Sequence, residues 1–235
     1  MDVEAYINKL IKISYEIELS LPTSRYPLQI VKAINNHLYK KLGFIGNTEN
    51  YYDPKNSFLN QVIDRRLGIP ISLAVIYLDI AKRLNFPMVG IGMPGHFLIR
   101  PNFEDVGFFI DIFNQGEILF PQDCEAKLQQ LYLQPVKLKP EFLNPISNRK
   151  ILIRMLTNLK QIYLHYRDFN RAISTINGIL ILVPDNPYEL RNRGLIYYEL
   201  DSWQESAQDL ESYLAILPNA EDAPMIQMLF NKIKY

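Results

Sequence analysis

The chain has 235 residues, 48% of them hydrophobic, so it can bury one large or two small cores and is not a disordered chain. Lys plus Arg and Asp plus Glu number 25 each, and this neutral balance gives no electrostatic case for nucleic acid or a membrane surface as a partner. The single cysteine, Cys124, excludes an intrachain disulfide, and the longest apolar run, Gly178–Val183, is too short to cross a membrane.

The N-terminal third carries the periodicity of helices, and its first segment, with acids and lysines throughout, is unlike a signal peptide. We therefore expect a soluble cytoplasmic protein. The predicted helices are 3–20, 27–42, a short helix from a cap at Asn56 or Ser57 to Arg66, and Ser72–Leu84. In the first helix the apolar positions near helical spacing are Val3, Ile7, Leu10, Ile11 and Ile17. The last helix is apolar on most sides, which indicates that it is central and buried.

Short β-branched and aromatic runs follow at 87–99, 107–113 and 117–120, with glycine-containing turns within and between them. Helices followed by antiparallel strands are typical of an α+β domain. The sequence therefore predicts such a domain, which ends near residue 147.

A 34-residue repeat occupies the last part of the chain. The residues matched at this offset are Tyr163 with Tyr197, Phe169 with Trp203, Ala172 with Ser206 and Pro184 with Pro218. Paired helices with this period resemble tetratricopeptide repeats. The second copy has Gly194 where that pattern expects glycine, but the first has Lys160. We therefore predict an N-terminal domain over 1–148 and, over 149–235, an all-α segment of two such repeats with a closing helix at 223–234.

Three side chains in the first domain have the order of a papain-like catalytic site. Ser72 is the only hydroxyl or thiol at the start of the buried helix, where free N–H groups and the helix dipole stabilise negative charge. His96 follows the turn sequence Met-Pro-Gly, and Asp111 lies in an apolar strand, where a carboxylate needs a partner. A nearby imidazole would supply that partner, so the sequence predicts a His96–Asp111 pair.

The stretch that carries these side chains resembles the SirB1 family, a transglutaminase-like group that often has C-terminal tetratricopeptide repeats. The resembling residues are Asp53-Pro54, Asn56-Ser57, Arg65-Arg66, Gly68-Ile69-Pro70-Ile71-Ser72-Leu73, Pro94-Gly95-His96-Phe97 and Ile110-Asp111. The resemblance implies a papain-like transglutaminase core in which His96 and Asp111 occupy the His and Asp positions. Transglutaminases use cysteine as the nucleophile, and Ser72 is the nearest residue here.

The roles of these residues stay open at this point. A serine is far less acidic than a thiol, so Ser72 is either a helix cap or a nucleophile activated by its base. His96 and Asp111 are either functional or the remnant of a site. For substrate binding the candidates are Asn56, whose amide could stabilise an oxyanion, and Arg66. Their structural alternatives are a cap or turn for Asn56 and, for Arg65 or Arg66, the end of a helix or an ion pair with Asp53.

Cys124 follows both His96 and Asp111, the reverse of the papain-like order, so we interpret it as an incidental cysteine. No metal-ligand spacing or cofactor motif is present, and we expect no metal and no cofactor.

Two functions remain. The first is an interaction protein with a degenerate transglutaminase-like site and a repeat surface for a protein or peptide partner. The second is an amide or ester hydrolase or acyltransferase that uses Ser72, His96 and Asp111.

Overall fold

The structure is a computed structural model, and it describes residues 2–103 and 106–233. The chain divides into two compact units, Met1–Ile151 and Leu152–Tyr235. The first unit is mixed α and β and the second is helical, so the predicted fold class is confirmed. No helix within the described residues is long and apolar enough to cross a membrane.

The first unit opens with helices. They are α1 (Val3–Glu18), α2 (Pro27–Asn35), α3 (Leu59–Arg65), α4 (Pro70–Arg83) and, later, α5 (Pro121–Tyr132). Asp2 caps α1 by accepting the Ala5 N–H at 3.2 Å. The apolar positions of α1 do not all face the core, because Ile17 is fully buried while Val3 and Ile7 are exposed.

The predicted helix 27–42 is α-helical only to Asn35. It continues as a π-helical turn over Asn36–Lys41, in which the Leu42 N–H reaches back to the carbonyl of His37 at 2.9 Å. The sequence prediction of one regular helix to residue 42 is therefore wrong over residues 36–41. Such π-helical turns are often found at functional sites.

The helix that was predicted to start from a cap at Asn56 or Ser57 begins later, at Leu59, with Phe58 as its N-cap residue. Asn56 instead belongs to a short 3-10 turn, Pro54–Asn56, so neither polar residue caps α3. The helix ends because Arg66 adopts the left-handed conformation with φ of 60°.

A five-stranded antiparallel sheet completes the first unit. Its strands are β3 (Met88–Ile91), β4 (Leu98–Pro101), β5 (Phe109–Asp111), β6 (Glu117–Leu119) and β7 (Pro145–Ile146), in the order β6–β5–β4–β3–β7. A separate parallel pair joins β1 (Ile45–Gly46) to β2 (Leu67–Gly68). The run 87–99 contains β3 and the start of β4, which pair with each other because the chain turns at Pro94 and Gly95, where the sequence predicted a turn. Helix α4 packs against α1, α3 and strands β3 and β4, which confirms its central place.

The second unit consists of helical hairpins. Its helices are α6 (Asn148–His165), which begins before the unit boundary, α7 (Phe169–Leu182), α8 (Pro187–Glu199), α9 (Trp203–Ile216) and α10 (Ala223–Ile233). Tyr163, Ala172 and Ile176 form part of one buried cluster, and Leu210 and Tyr213 belong to another. The closing helix is present, although Lys234, where it was predicted to end, lies outside the described residues.

Candidate functional site

The start of α4 is built around Ser72. Pro70, whose fixed φ suits the first helical position, begins the helix after the N-cap residue Ile69. Ser72 is therefore the third helical residue and not the N-cap itself. Its Oγ accepts the Ile69 N–H at 3.1 Å and donates to the Asn56 carbonyl at 2.6 Å. The side chain is 0% exposed, so the hydroxyl satisfies buried backbone groups as a capping residue does.

Close packing also encloses Ser72 from the side of β2. A Cβ atom added at Gly68 would lie 2.9 Å from Ser72 Oγ and 2.9 Å from a methyl carbon of Val62. Only glycine leaves room for the hydroxyl at this point. Gly68, in the Gly-Ile-Pro sequence before α4, therefore allows the Ser72 side chain to pack closely against the main chain.

Asn56 is fully buried and its amide is occupied. Its Nδ2 donates to the carbonyls of Asn50 at 2.8 Å and Tyr51 at 3.2 Å, and its Oδ1 accepts from Asn47 Nδ2 at 3.1 Å. Both N–H groups have partners within the loop, so neither is left over for an oxyanion. The geometry favours the structural alternative for Asn56, which is to hold the loop 47–56 in place.

The two neighbouring arginines have different settings. Arg65 Nη2 lies 3.1 Å from Asp53 Oδ2, which is the ion pair that the sequence offered as one alternative. The main chain of Arg66 ends α3, and its carbonyl accepts the Ile45 N–H at 2.9 Å, next to the β1–β2 pair. The side chain of Arg66 is exposed, so its assignment to substrate binding stays a prediction.

His96 lies at the end of the turn that leads into β4. Its N–H donates to the Met93 carbonyl at 3.0 Å, and Gly95 allows the turn because its φ is +71°. The His96 side chain is partly exposed, whereas the next residue, Phe97, is buried. The turn therefore presents the imidazole at the entrance of a strand that pairs with β5.

Asp111 ends β5 and is 3% exposed. Its Oδ1 accepts the N–H groups of Phe113 at 3.1 Å and Asn114 at 3.3 Å, and its Oδ2 accepts from Asn114 Nδ2 at 2.7 Å. Lys127 Nζ lies 3.1 Å from Oδ2. Lys127 therefore supplies this buried carboxylate with an ion-pair partner, and the His96–Asp111 pair stays a prediction.

Lys127 and Asn114 are the residues that the sequence interpretation missed. The Asn114 contact had a local signal, because an aspartate just before a turn commonly accepts N–H groups two and three residues ahead. Lys127 had none, because it lies 16 residues further on, in α5. The Ser72–His96–Asp111 triad itself stays a prediction.

Cys124 packs on α5 with Ile91, Leu98 and Leu128 and is fully buried. Burial, and next the nearby Asp123, raise the pKa of its thiol to about 11. A protonated, enclosed thiol is a poor nucleophile, in line with the interpretation as an incidental cysteine. Among the described residues, no three His, Cys, Asp or Glu side chains form a group that could hold a metal ion.

The second unit contains a groove of about 470 Å³ between α7, α8 and α9. Its residues include Ile181, which is 81% exposed, together with Pro184, Tyr197 and Gln208. On one side Arg193 forms a two-pronged ion pair with Asp209, with both N–O distances 2.7 Å. The groove thus combines an unburied aliphatic side chain with polar groups that are fixed in place.

Comparisons with known proteins match both units. A family profile described as "Transglutaminase-like superfamily" matches residues 4–157, and one described as "Tetratricopeptide repeat" matches residues 159–231. A UPF0162 protein of Xylella fastidiosa (strain 9a5c) is 38% identical over 96% of this chain and 79% of its own. Protein SirB1 of Salmonella typhimurium is 27% identical over 97% and 84%, and human F-box only protein 21 is 31% identical over 76% and 29%. No solved structure matches the chain.

Proposed function

Since the chain belongs to the transglutaminase-like superfamily and carries tetratricopeptide repeats, we propose that it is a protein-interaction protein whose transglutaminase-like site is degenerate. The first domain, over 1–148, would act as a scaffold or binding module, and the repeats, over 149–235, would bind a protein or peptide partner. We place the protein in the cytoplasm, where its single, buried Cys124 needs no disulfide partner.

The observation that carries the proposal is the state of Ser72. A serine nucleophile must lie within hydrogen-bond reach of a general base and must meet its substrate. Here the hydroxyl is 0% exposed, donates to a backbone carbonyl at 2.6 Å and sits under the backbone of Gly68. Attack by this oxygen would require the loop and the helix start to separate.

The catalytic part of the proposal is tested with a fluorophosphonate probe, which labels activated serines. We expect no labelling of the full-length protein under conditions in which a known serine hydrolase is labelled. Labelling that is lost in Ser72→Ala would instead establish the hydrolase or acyltransferase alternative. Labelling that persists in Ser72→Ala would place the reactive serine elsewhere and contradict the proposed inactivity.

The interaction part of the proposal rests on the groove beside Ile181. Ile181 is 81% exposed at the edge of the groove, so an apolar side chain of a partner that covers it would gain free energy from the buried apolar area. Fixed polar groups such as Arg193 and Asp209 supply the orientation that peptide recognition needs. Glu205, which also lines the groove, has no ion-pair partner among the described residues, so the groove suits a peptide with an apolar and a basic side chain.

A photoreactive residue at 181 in the full-length protein is the direct test. We expect it to crosslink a defined protein that a photoreactive residue at 228 does not, because Met228 is also apolar and exposed, at 64%, but does not line the groove. Ile181→Glu should abolish binding of that protein and Met228→Glu should leave it unchanged. Equal recovery at both positions would remove the groove from the proposal.

A further inference from the structure

The outer face of α2 and its π-helical turn carries a second feature, in the first unit. Two adjoining hollows of about 590 and 410 Å³ share Lys32, Asn36 and Lys40 in their walls. These residues recur every fourth position and therefore lie along one face of the helix. Hollows of this size are typical of sites for small molecules.

The charge in the hollows is positive and largely uncompensated. Lys41 is paired with Glu16 at 2.9 Å, and this contact holds the pKa of Glu16 below its usual value. Lys32 and Lys40 have no ion-pair partner within residues 2–103 and 106–233.

His37 provides an independent observation. It lines the larger hollow, is only 6% exposed, and its Nε2 has no hydrogen-bond partner in the described part of the chain. The closest acid, Glu16, has its Oε2 3.4 Å away without forming a hydrogen bond. Buried ring nitrogens nearly always have a hydrogen-bond partner. A buried ring nitrogen without one, beside two lysines that have no ion-pair partner, indicates that the hollow binds a ligand.

The geometry points to a binding site for a small polyanion, with phosphate or carboxylate groups, held by Lys32 and Lys40 and bordered by Asn36 and His37. Lysine ammonium groups bind such anions as point charges, and the Asn36 amide adds donors for an oxyanion. The site is separate from the start of α4 and from the repeat groove, so it does not depend on the function proposed above.

The test is calorimetric titration of the full-length protein with inorganic pyrophosphate and, separately, with citrate, at constant ionic strength. We expect saturable binding of one of them, and the tighter ligand identifies the anion as phosphate or carboxylate. The double variant Lys32→Gln/Lys40→Gln should weaken binding at least tenfold. The matched double variant Lys55→Gln/Lys150→Gln removes two other exposed lysines and should change the affinity less than twofold.

A second readout uses the unmodified protein. The ring nitrogen signals of His37 in its NMR spectrum should move on addition of the tighter ligand, since the ligand reaches the wall that His37 forms. Several outcomes would overturn the proposal. They are an absence of binding by both anions, equal losses in the two double variants, and an unchanged His37 signal at saturation.

Discussion

Equivalent buried positions, 34 residues apart in the helical repeats, carry a charged pair in one place and small residues in the other. In the first, Lys160 of α6 is buried and its ammonium lies 2.5 Å from the carboxylate of Glu189 in α8. At the same two positions 34 residues later the chain has Gly194 and Ala223. A buried ion pair between the first repeat and the second thus corresponds to two small residues, one in the second repeat and one in the closing helix. The 34-residue period therefore predicts where the helices lie, but not which side chains pack between them.

The contact at Gly194 explains why glycine is used there. A Cβ atom at this position would lie 2.8 Å from a Leu210 methyl carbon and 3.1 Å from Asp209 Cβ. Ser206 Oγ donates to the Gly194 carbonyl at 2.9 Å, which holds α8 and α9 at this short distance. In the first repeat Ala172 stands at the serine position, so no equivalent side-chain hydrogen bond exists there.

The largest expected effect comes from breaking the ion pair. Glu189→Ala leaves the Lys160 ammonium buried without its partner and should destabilise the second unit by about 3–5 kcal/mol. Denaturant unfolding followed by tryptophan fluorescence measures this, because Trp203, the only tryptophan, lies in that unit. The double variant Lys160→Met/Glu189→Leu removes both charges, and we expect it to be close to wild type or more stable. A double variant as unstable as the single one would show that the repeat needs the charges themselves.

The next largest effect is overpacking at the glycine of the second repeat. Gly194→Ala forces a methyl group against Leu210 and should cost about 1–3 kcal/mol in the same unfolding experiment, in spite of the better helix propensity of alanine. Gly178→Ala in α7 is the matched control, because its Cβ would approach Leu156 only to 3.3 Å. We expect that control to change stability by less than about 1 kcal/mol. If Gly194→Ala and Gly178→Ala lower the free energy of unfolding equally, the close approach of helices at Gly194 is not specific to the second repeat.

A smaller loss should follow Ser206→Ala, which makes this position like Ala172 of the first repeat. The variant removes the hydrogen bond to the Gly194 carbonyl and should cost about 1 kcal/mol. Unfolding midpoints of Ser206→Ala and of Ser212→Ala, a partly exposed serine in the same helix, provide the comparison. A loss in Ser212→Ala as large as that in Ser206→Ala would contradict the assignment.

The smallest effect concerns pH. A hydrogen bond from Tyr213, and next those from Arg191, hold the pKa of Asp222 below its ordinary value. A lowered pKa in the folded state stabilises the fold at pH values above the unfolded pKa of about 4, and this contribution is lost as the pH falls through the folded value. Asp222→Asn should therefore weaken the acid sensitivity of the second unit, by less than about 1 kcal/mol in unfolding measured at pH 3 and pH 6. The residue 34 positions earlier is Tyr188, which has no carboxylate. If Asp222→Asn and the wild type lose the same free energy of unfolding between pH 6 and pH 3, Asp222 has no role in acid sensitivity.

The sequence predicted the features that repeat or lie close together along the chain. The 34-residue period located both helical hairpins, and the resemblance to the SirB1 family is confirmed by the comparisons. The ion pair between Arg65 and Asp53 was also within reach, because both lie in one short motif. The π-helical turn was not, because the residues 36–41 favour an ordinary helix as strongly as a π turn.

Other features depended on partners that are distant in the sequence. Spacing alone placed Val3, Ile7 and Ile17 on one apolar face of α1, but packing buries only Ile17 and leaves the other two exposed. Likewise, the rule that a buried aspartate needs a partner was right for Asp111, but only the fold could supply Lys127. Periodicity defines which faces exist, and tertiary contacts decide which of them are covered.

The hydrogen bond from Ser72 to Asn56 has a dynamic consequence. It ties the loop 47–56 to the first turn of α4, while the β1–β2 pair joins the two ends of the longer segment that contains this loop and α3. We therefore expect the loop and the helix start to open together. In a hydrogen–deuterium exchange experiment their amides should exchange as one cooperative unit.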